Sequence, residues 1–126
     1  CRELGIAVIA RVPFDEGSLT GTFTTRTTFE RNDWRAAYFE GDRLRETVER
    51  VERLRELAKR QSLTLAQLAL KFCLSHPAVS TVIPGIRRVA HVEECCAASD
   101  GRPLDPQVLA ELAAHAWPRN FYPVSA

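Results

Sequence analysis

Apolar positions along the chain fall into two kinds of run. Ile6-Ala-Val-Ile-Ala10 is continuously apolar and of strand length. A strand without alternation is buried on both faces, as in parallel sheets lined by helices. Thr81-Val-Ile83 is a shorter β-branched run that also reads as a buried strand. Between them, Leu44, Val48, Val51, Leu54 and Leu57 recur at three- and four-residue steps. That spacing predicts an amphipathic helix over Arg43–Gln61, with Asp42 as its N-cap. Its other faces carry Glu46/Arg50, Glu49/Arg53 and Glu56/Arg60, acid before base at i, i+4, the pattern of a solvated helix face. Thr64-Leu-Ala-Gln67 is a capping box that starts a second helix. Its Leu65, Leu68, Ala69, Phe72 and Cys73 are expected to face a core, and His76-Pro77 closes it. A helix with Val89, Val92 and Glu94, running to about Ser99, follows the second strand. Asp105-Pro106 opens a last short one carrying Val108, Leu109, Leu112 and Ala113.

The connecting stretches complete the outline. Cys1–Leu4 read as the tail of a helix that Gly5 stops. Pro13 ends the first strand, and Phe14–Thr22 is a glycine-punctuated loop. Thr22–Glu40 shows no helical or strand period, and its aromatics (Phe29, Trp34, Tyr38, Phe39) favour a long, ordered, functional loop. Asp100–Pro103 reads as a linker, and Trp117-Pro118 begins an irregular tail. Strand, loop, helix pair, strand, helix is the grammar of α/β units around a parallel sheet. Two parallel strands are not a finished sheet, because independent stability wants about three or more. Each should expose an edge and an uncovered face, so the chain is expected to be a piece of a barrel or larger sheet.

Composition narrows the function. The 126 residues, 45% hydrophobic, suit about one domain and one core. With 17 Lys+Arg against 16 Asp+Glu the net charge is +1, without the basic excess of a nucleic-acid footprint. No apolar run approaches the roughly 20 residues of a membrane span. The sequence begins at Cys1, without a Met or a secretory signal, and is expected to be cut from something longer. Cys1, Cys73, Cys95 and Cys96 make no C-x-x-C pair, and a reduced, cytoplasmic setting is expected. His76, His91 and His115 are too scattered for a metal site, and no Ser/His/Asp or Cys/His constellation can be argued. Trp34 and Trp117 could line a substrate cleft, but buried packing is the expected role for each. Asp15 and Glu16 either touch substrate or are solvated loop carboxylates or a helix-start anchor.

The stretch with most chemistry is Ser80–Glu94. A strand, a Pro84-Gly85 turn and a helix start leave free backbone N–H groups at a positive dipole end. Arg87 and Arg88 add two charges there, and the simplest ligand for such a place is a phosphate. Taken alone, a structural turn with two solvated arginines explains the same residues.

Three linked segments resemble one known family. Gly5-Ile-Ala-Val-Ile-Ala-Arg-Val-Pro-Phe-Asp-Glu-Gly-Ser-Leu-Thr-Gly21 is similar to the seventh-strand segment of aldo-keto reductases. Leu63–Leu74 resembles the helix before their eighth strand, and Ser80–Ala98 their closing cofactor segment. The resemblance implies the C-terminal part of a (β/α)8 TIM barrel, helix-rich when taken alone. Residues 1–23 would be strand seven with its cofactor loop, 24–41 a long loop and 42–76 a helix pair. Strand eight with the cofactor helix would span 80–99, and a C-terminal helix with tail 104–126.

By the same resemblance the chain holds NADP(H). Val12, Pro13 and Phe14 would pass the nicotinamide and pyrophosphate, with Gly17 and Thr22 farther along the clasp. Gly85 and Arg87 would face the adenosine 2′-phosphate, His91 would lie one helical turn on, and Glu94 and Cys95 would contact the adenine. Arg11 stands where many members place an aromatic ring under the nicotinamide. Val12 replaces a frequent serine, Thr22 a frequent lysine and Cys95 the usual asparagine. The family's catalytic Asp, Tyr, Lys and His lie on earlier strands, and nothing here matches them; Tyr38 and Tyr122 are the only tyrosines. The implied function is part of an NADP-dependent oxidoreductase acting on a small carbonyl or sugar, inactive in isolation. The alternative is a non-catalytic barrel remnant that binds nucleotide, self-associates or pairs with the rest of a barrel.

Overall fold

The computed structural model describes residues 1–118. Tyr122 and the rest of the predicted tail lie outside them. The elements are β1 (Val8–Arg11), a 3-10 segment (Asp15–Thr20), α1 (Arg35–Tyr38), α2 (Arg43–Arg60), α3 (Leu65–Leu74), β2 (Val79–Ile83), α4 (Val89–Ala97) and α5 (Pro106–Ala114).

β1 and β2 pair in parallel, with Ile9 opposite Thr81, Ala10 opposite Val82 and Arg11 opposite Ile83. Val8 sits opposite Val79, so Ser80 is an extra residue in β2, and its hydroxyl accepts from the Val8 amide at 3.3 Å. That bulge sets the phase of the strand. Val79 and Val82 are both half-buried, with Val8 and Ala10 beside them, on the face where α3 packs. Ile9, Arg11, Thr81 and Ile83 share the other face, which is bare: Ile9 is 60% exposed and Ile83 57%. The expectation of strands buried on both faces is corrected here, while that of an uncovered face holds.

The core lies in the helical layer. Val51, Leu57 and Ala58 of α2, Leu65 and Leu68 of α3, Leu104 and Val108 form one buried cluster, with Leu19 and Leu63 against it. Each fully buried leucine contributes about 1.5–3 kcal/mol relative to an exposed one. The stripe predicted for α2 is rotated in its first half. Leu44 and Val48 are half-buried, whereas Thr47 is buried, its hydroxyl donating to the Arg43 carbonyl at 2.6 Å. In α3, Leu70 and Lys71 are buried, and Phe72, expected in the core, is 49% exposed.

Local signals are mostly realised. Gly5, at φ +64, ends a Schellman turn, with the Ile6 amide donating to the Cys1 carbonyl and Gly5 to Arg2. The Thr64/Gln67 capping box forms in both directions, and Asp105 caps α5 by accepting from the Gln107 amide at 2.7 Å. Asp42 does not cap α2. Its backbone is already helical and its carboxylate pairs with Arg45. The ion pairs on α2 also differ from the i, i+4 prediction. Glu49 pairs with Arg45 and Glu56 with Lys59, while Arg60 reaches Glu111 on α5 and Arg50 lies over the Trp117 ring. Asp100 is more than linker: it takes the buried Lys71 ammonium at 2.5 Å.

Two loop readings are refined. Much of Phe14–Thr22 is the 3-10 segment, and the long loop contains α1. An aromatic cluster orders that loop, Phe29 stacking on Phe39 at 5.5 Å with Phe23 edge-on to both.

Candidate functional site

β1 and β2 end side by side, so the chain leaves the sheet through two adjacent corners, Val12-Pro13 and Pro84-Gly85. Between them opens a cavity of about 1060 Å³. Every residue that the resemblance assigned to the cofactor lines it: Arg11, Val12, Pro13, Phe14, Gly17 and Thr22 from the first corner, Gly85, Arg87, His91, Glu94 and Cys95 from the second. The two segments are some 60 residues apart in sequence, and the parallel pairing, with α3 against both, brings them together.

The first corner is strained. Val12, Asp15 and Glu16 all have positive φ (54°, 44° and 55°). For a β-branched residue this is a rare conformation, costing about 1–2 kcal/mol. Surrounding contacts hold the loop. Asp15 accepts from the Ser18 hydroxyl at 2.6 Å and from the buried Tyr38 hydroxyl at 3.1 Å, so it anchors the loop rather than facing a ligand. Arg55 donates to the Gly21 carbonyl at 2.9 Å. Gly21 sits at φ +75°, where other residues are strained, and a Cβ there would come within 2.6 Å of the Leu65 side-chain end, so glycine suits this approach to α3.

The second corner is open. A Cβ at Gly85 would meet no atom within 4 Å, so this turn can receive a ligand closely. α4 begins at Val89, and its N-cap Arg88 supplies no side-chain bond. Arg87 is exposed at the cavity wall, and His91 and Glu94 are half-buried there. Burial, with Glu94 and Cys96 adding to it, pushes the Cys95 thiol above its usual pKa, so it stays protonated and offers only a weak hydrogen bond. The Thr22 hydroxyl hydrogen-bonds Thr20 at 2.9 Å.

Sequence reading did not place the far wall, built from Asn32, Asp33, Trp34 and Arg35 of the long loop. Trp34, expected to be packed away, is 49% exposed. Arg35 grips Asp33 with Nε and Nη2, at 3.0 and 2.5 Å, and that bond holds the Asp33 carboxyl below its ordinary range, with the Arg87 charge adding to it. The run of loop aromatics, and the cleft-lining alternative for Trp34, were the signals that pointed to this wall.

The aldo/keto reductase family model matches residues 1–116. The chain belongs to the aldo/keto reductase family. Among the relatives of this aldo/keto reductase chain, aldo-keto reductase str7 of Strobilurus tenacellus is 29% identical over 111 residues, 86% of this chain and 33% of that protein. Aldo-keto reductase yakc [NADP(+)] of Schizosaccharomyces pombe is 29% identical over 96 residues, covering 75% and 28%. The chloroplastic pyridoxal reductase of Arabidopsis thaliana is 31% identical over 126 residues, covering 96% and 32%. The chain thus spans about a third of the length of the curated relatives it matches.

Proposed function

We propose that this chain is the C-terminal, coenzyme-holding part of an aldo/keto reductase barrel, in which NADP(H) exchanges a hydride with a small carbonyl or sugar substrate. The observation that carries this reading is the single cavity into which the two sequence-distant corners open. A sheet covered by a helix on one face and apolar but bare on the other is what two strands of a barrel wall present when the remaining strands are not beside them.

The donor set fits a dinucleotide phosphate. Arg87, the open Gly85 turn and the start of α4 offer a guanidinium and backbone amides to a 2′-phosphate, the group that separates NADP from NAD. Glu94 can accept from the adenine amine, with Cys95 beside it. Val12, Pro13, Phe14, Gly17 and Thr22 form the clasp of the other corner, and Arg11 lies under the nicotinamide. When bound, the coenzyme supplies the hydride; this chain's residues bind and orient it. The proton donor belongs to strands outside this chain, and the chain alone is expected to be inactive.

The test is Arg87→Gln in the 126-residue chain, with NADPH and NADH affinities measured by titration calorimetry. Loss of the phosphate contact should weaken NADPH about 10- to 100-fold and leave NADH nearly unchanged. Equal losses for both would refute the assigned contact. A second reading, a non-catalytic remnant that binds nucleotide and pairs through its sheet, is favoured by one observation: Ile9 and Ile83 stand exposed on the bare face.

A further inference from the structure

Arg11 is the cavity residue whose chemistry the family reading leaves open. It is the last residue of β1, on the bare face, and its register partner Ile83 directly precedes the Pro84-Gly85 corner. Its guanidinium therefore rises from the root of the cavity, on the side a barrel would enclose. Among the described residues it makes no hydrogen bond or ion pair. The Asp33 carboxylate in the cavity wall is committed to Arg35.

An uncompensated cation in that place discriminates between ligands by charge. On the dinucleotide reading, Arg87 and the start of α4 take the phosphate, and the reacting ring lies over Arg11 at the end of β1. A dihydronicotinamide ring is neutral and electron-rich, and loss of a hydride leaves it a cationic pyridinium. A guanidinium attracts the first through its π face and repels the second. We infer that Arg11 makes this site selective for the reduced coenzyme, holding NADPH more tightly than NADP+. The inference rests on the dinucleotide reading above and adds the redox state to it.

The experiment is calorimetric titration of the 126-residue chain and its Arg11→Gln and Arg11→Lys variants with NADPH and NADP+ at low salt. Two unit charges about 5 Å apart near a protein surface correspond to a preference on the order of five- to tenfold after solvent screening. The wild type should show that ratio, Arg11→Lys should retain most of it, and Arg11→Gln should bring it close to one by tightening NADP+. An unchanged ratio in Arg11→Gln, or a wild type that prefers NADP+, overturns the inference and leaves the dinucleotide reading standing. If neither coenzyme binds the wild type, the dinucleotide reading falls and the inference with it. Arg11 is exposed and outside the core, so the variants should fold; a thermal melt of each confirms it.

Discussion

The helical layer and the cavity face of this molecule are built on opposite terms. α2, α3 and α5 share a buried cluster in which Leu57 and Leu68 are almost wholly enclosed. α4, which carries His91, Glu94 and Cys95, has no buried residue, and the sheet beside it leaves Ile9 and Ile83 to solvent. The buried core thus resides in one region, and the cavity opens in the other. The cavity side leaves its strand isoleucines without a covering.

The sharpest way to break this contrast is to compare one core position with one on the bare face. Leu57→Ala should cost about 2–5 kcal/mol in urea denaturation, because the neighbouring helices cannot close over the lost volume. Ile9→Thr should change stability by less than about 0.5 kcal/mol. A large loss at Ile9 would mean that something covers the face in solution, and light scattering would then return a species heavier than one chain.

A middling effect is expected where the regions join. Lys71 is only 6% exposed, and its ammonium donates to Asp100 and, at 2.8 Å, to the Arg102 carbonyl, pinning the segment after α4 to α3. Lys71→Met should lower Tm by about 5–10 °C; an unchanged Tm would show that the pin is idle. The Lys71 bond, helped by the Arg102 amide, holds the folded Asp100 carboxyl below its ordinary value. The unfolded chain therefore binds the extra proton between the two values. The stabilisation is full above about pH 4 and is lost as pH falls through the lower, folded value. Asp100→Asn should flatten that acid limb in melts recorded from pH 6 to pH 2.

The smallest effect belongs to Val12. Its φ of +54° suits glycine, so Val12→Gly should relieve strain and raise stability by about 0.5–1 kcal/mol, the extra chain entropy offsetting part of the gain. A loss in chemical denaturation would show that the valine side chain contributes more by packing than its backbone conformation costs.

What could be read from the sequence was whatever depended on near neighbours. The Thr64/Gln67 box, the Gly5 turn and the Asp105-Pro106 start are each settled within about four residues. The cavity was legible for a different reason: family motifs placed both corners before any geometry was available. Tertiary choices stayed hidden. Nothing local says that Arg60 will prefer Glu111 to Glu56, or that Lys71 will be buried because Asp100 returns to it. Phe72 misled because helical periodicity fixes the spacing of a stripe but not which neighbour arrives to cover it. The far wall escaped because Asp33 and Arg35 meet through a loop bend rather than a helical repeat.

Ser80 carries a consequence for the whole cavity face. As the second of two β2 residues set against Val8, it adds no rung to the ladder but bends and twists the strand where it stands. Were Ser80 deleted, Val79 and Thr81 would face Val8 and Ile9 in plain alternation, and Val79 and Val82 would keep their shared face. What a single serine sets is therefore the angle at which β2 delivers the Gly85 turn, not its distance from Pro13.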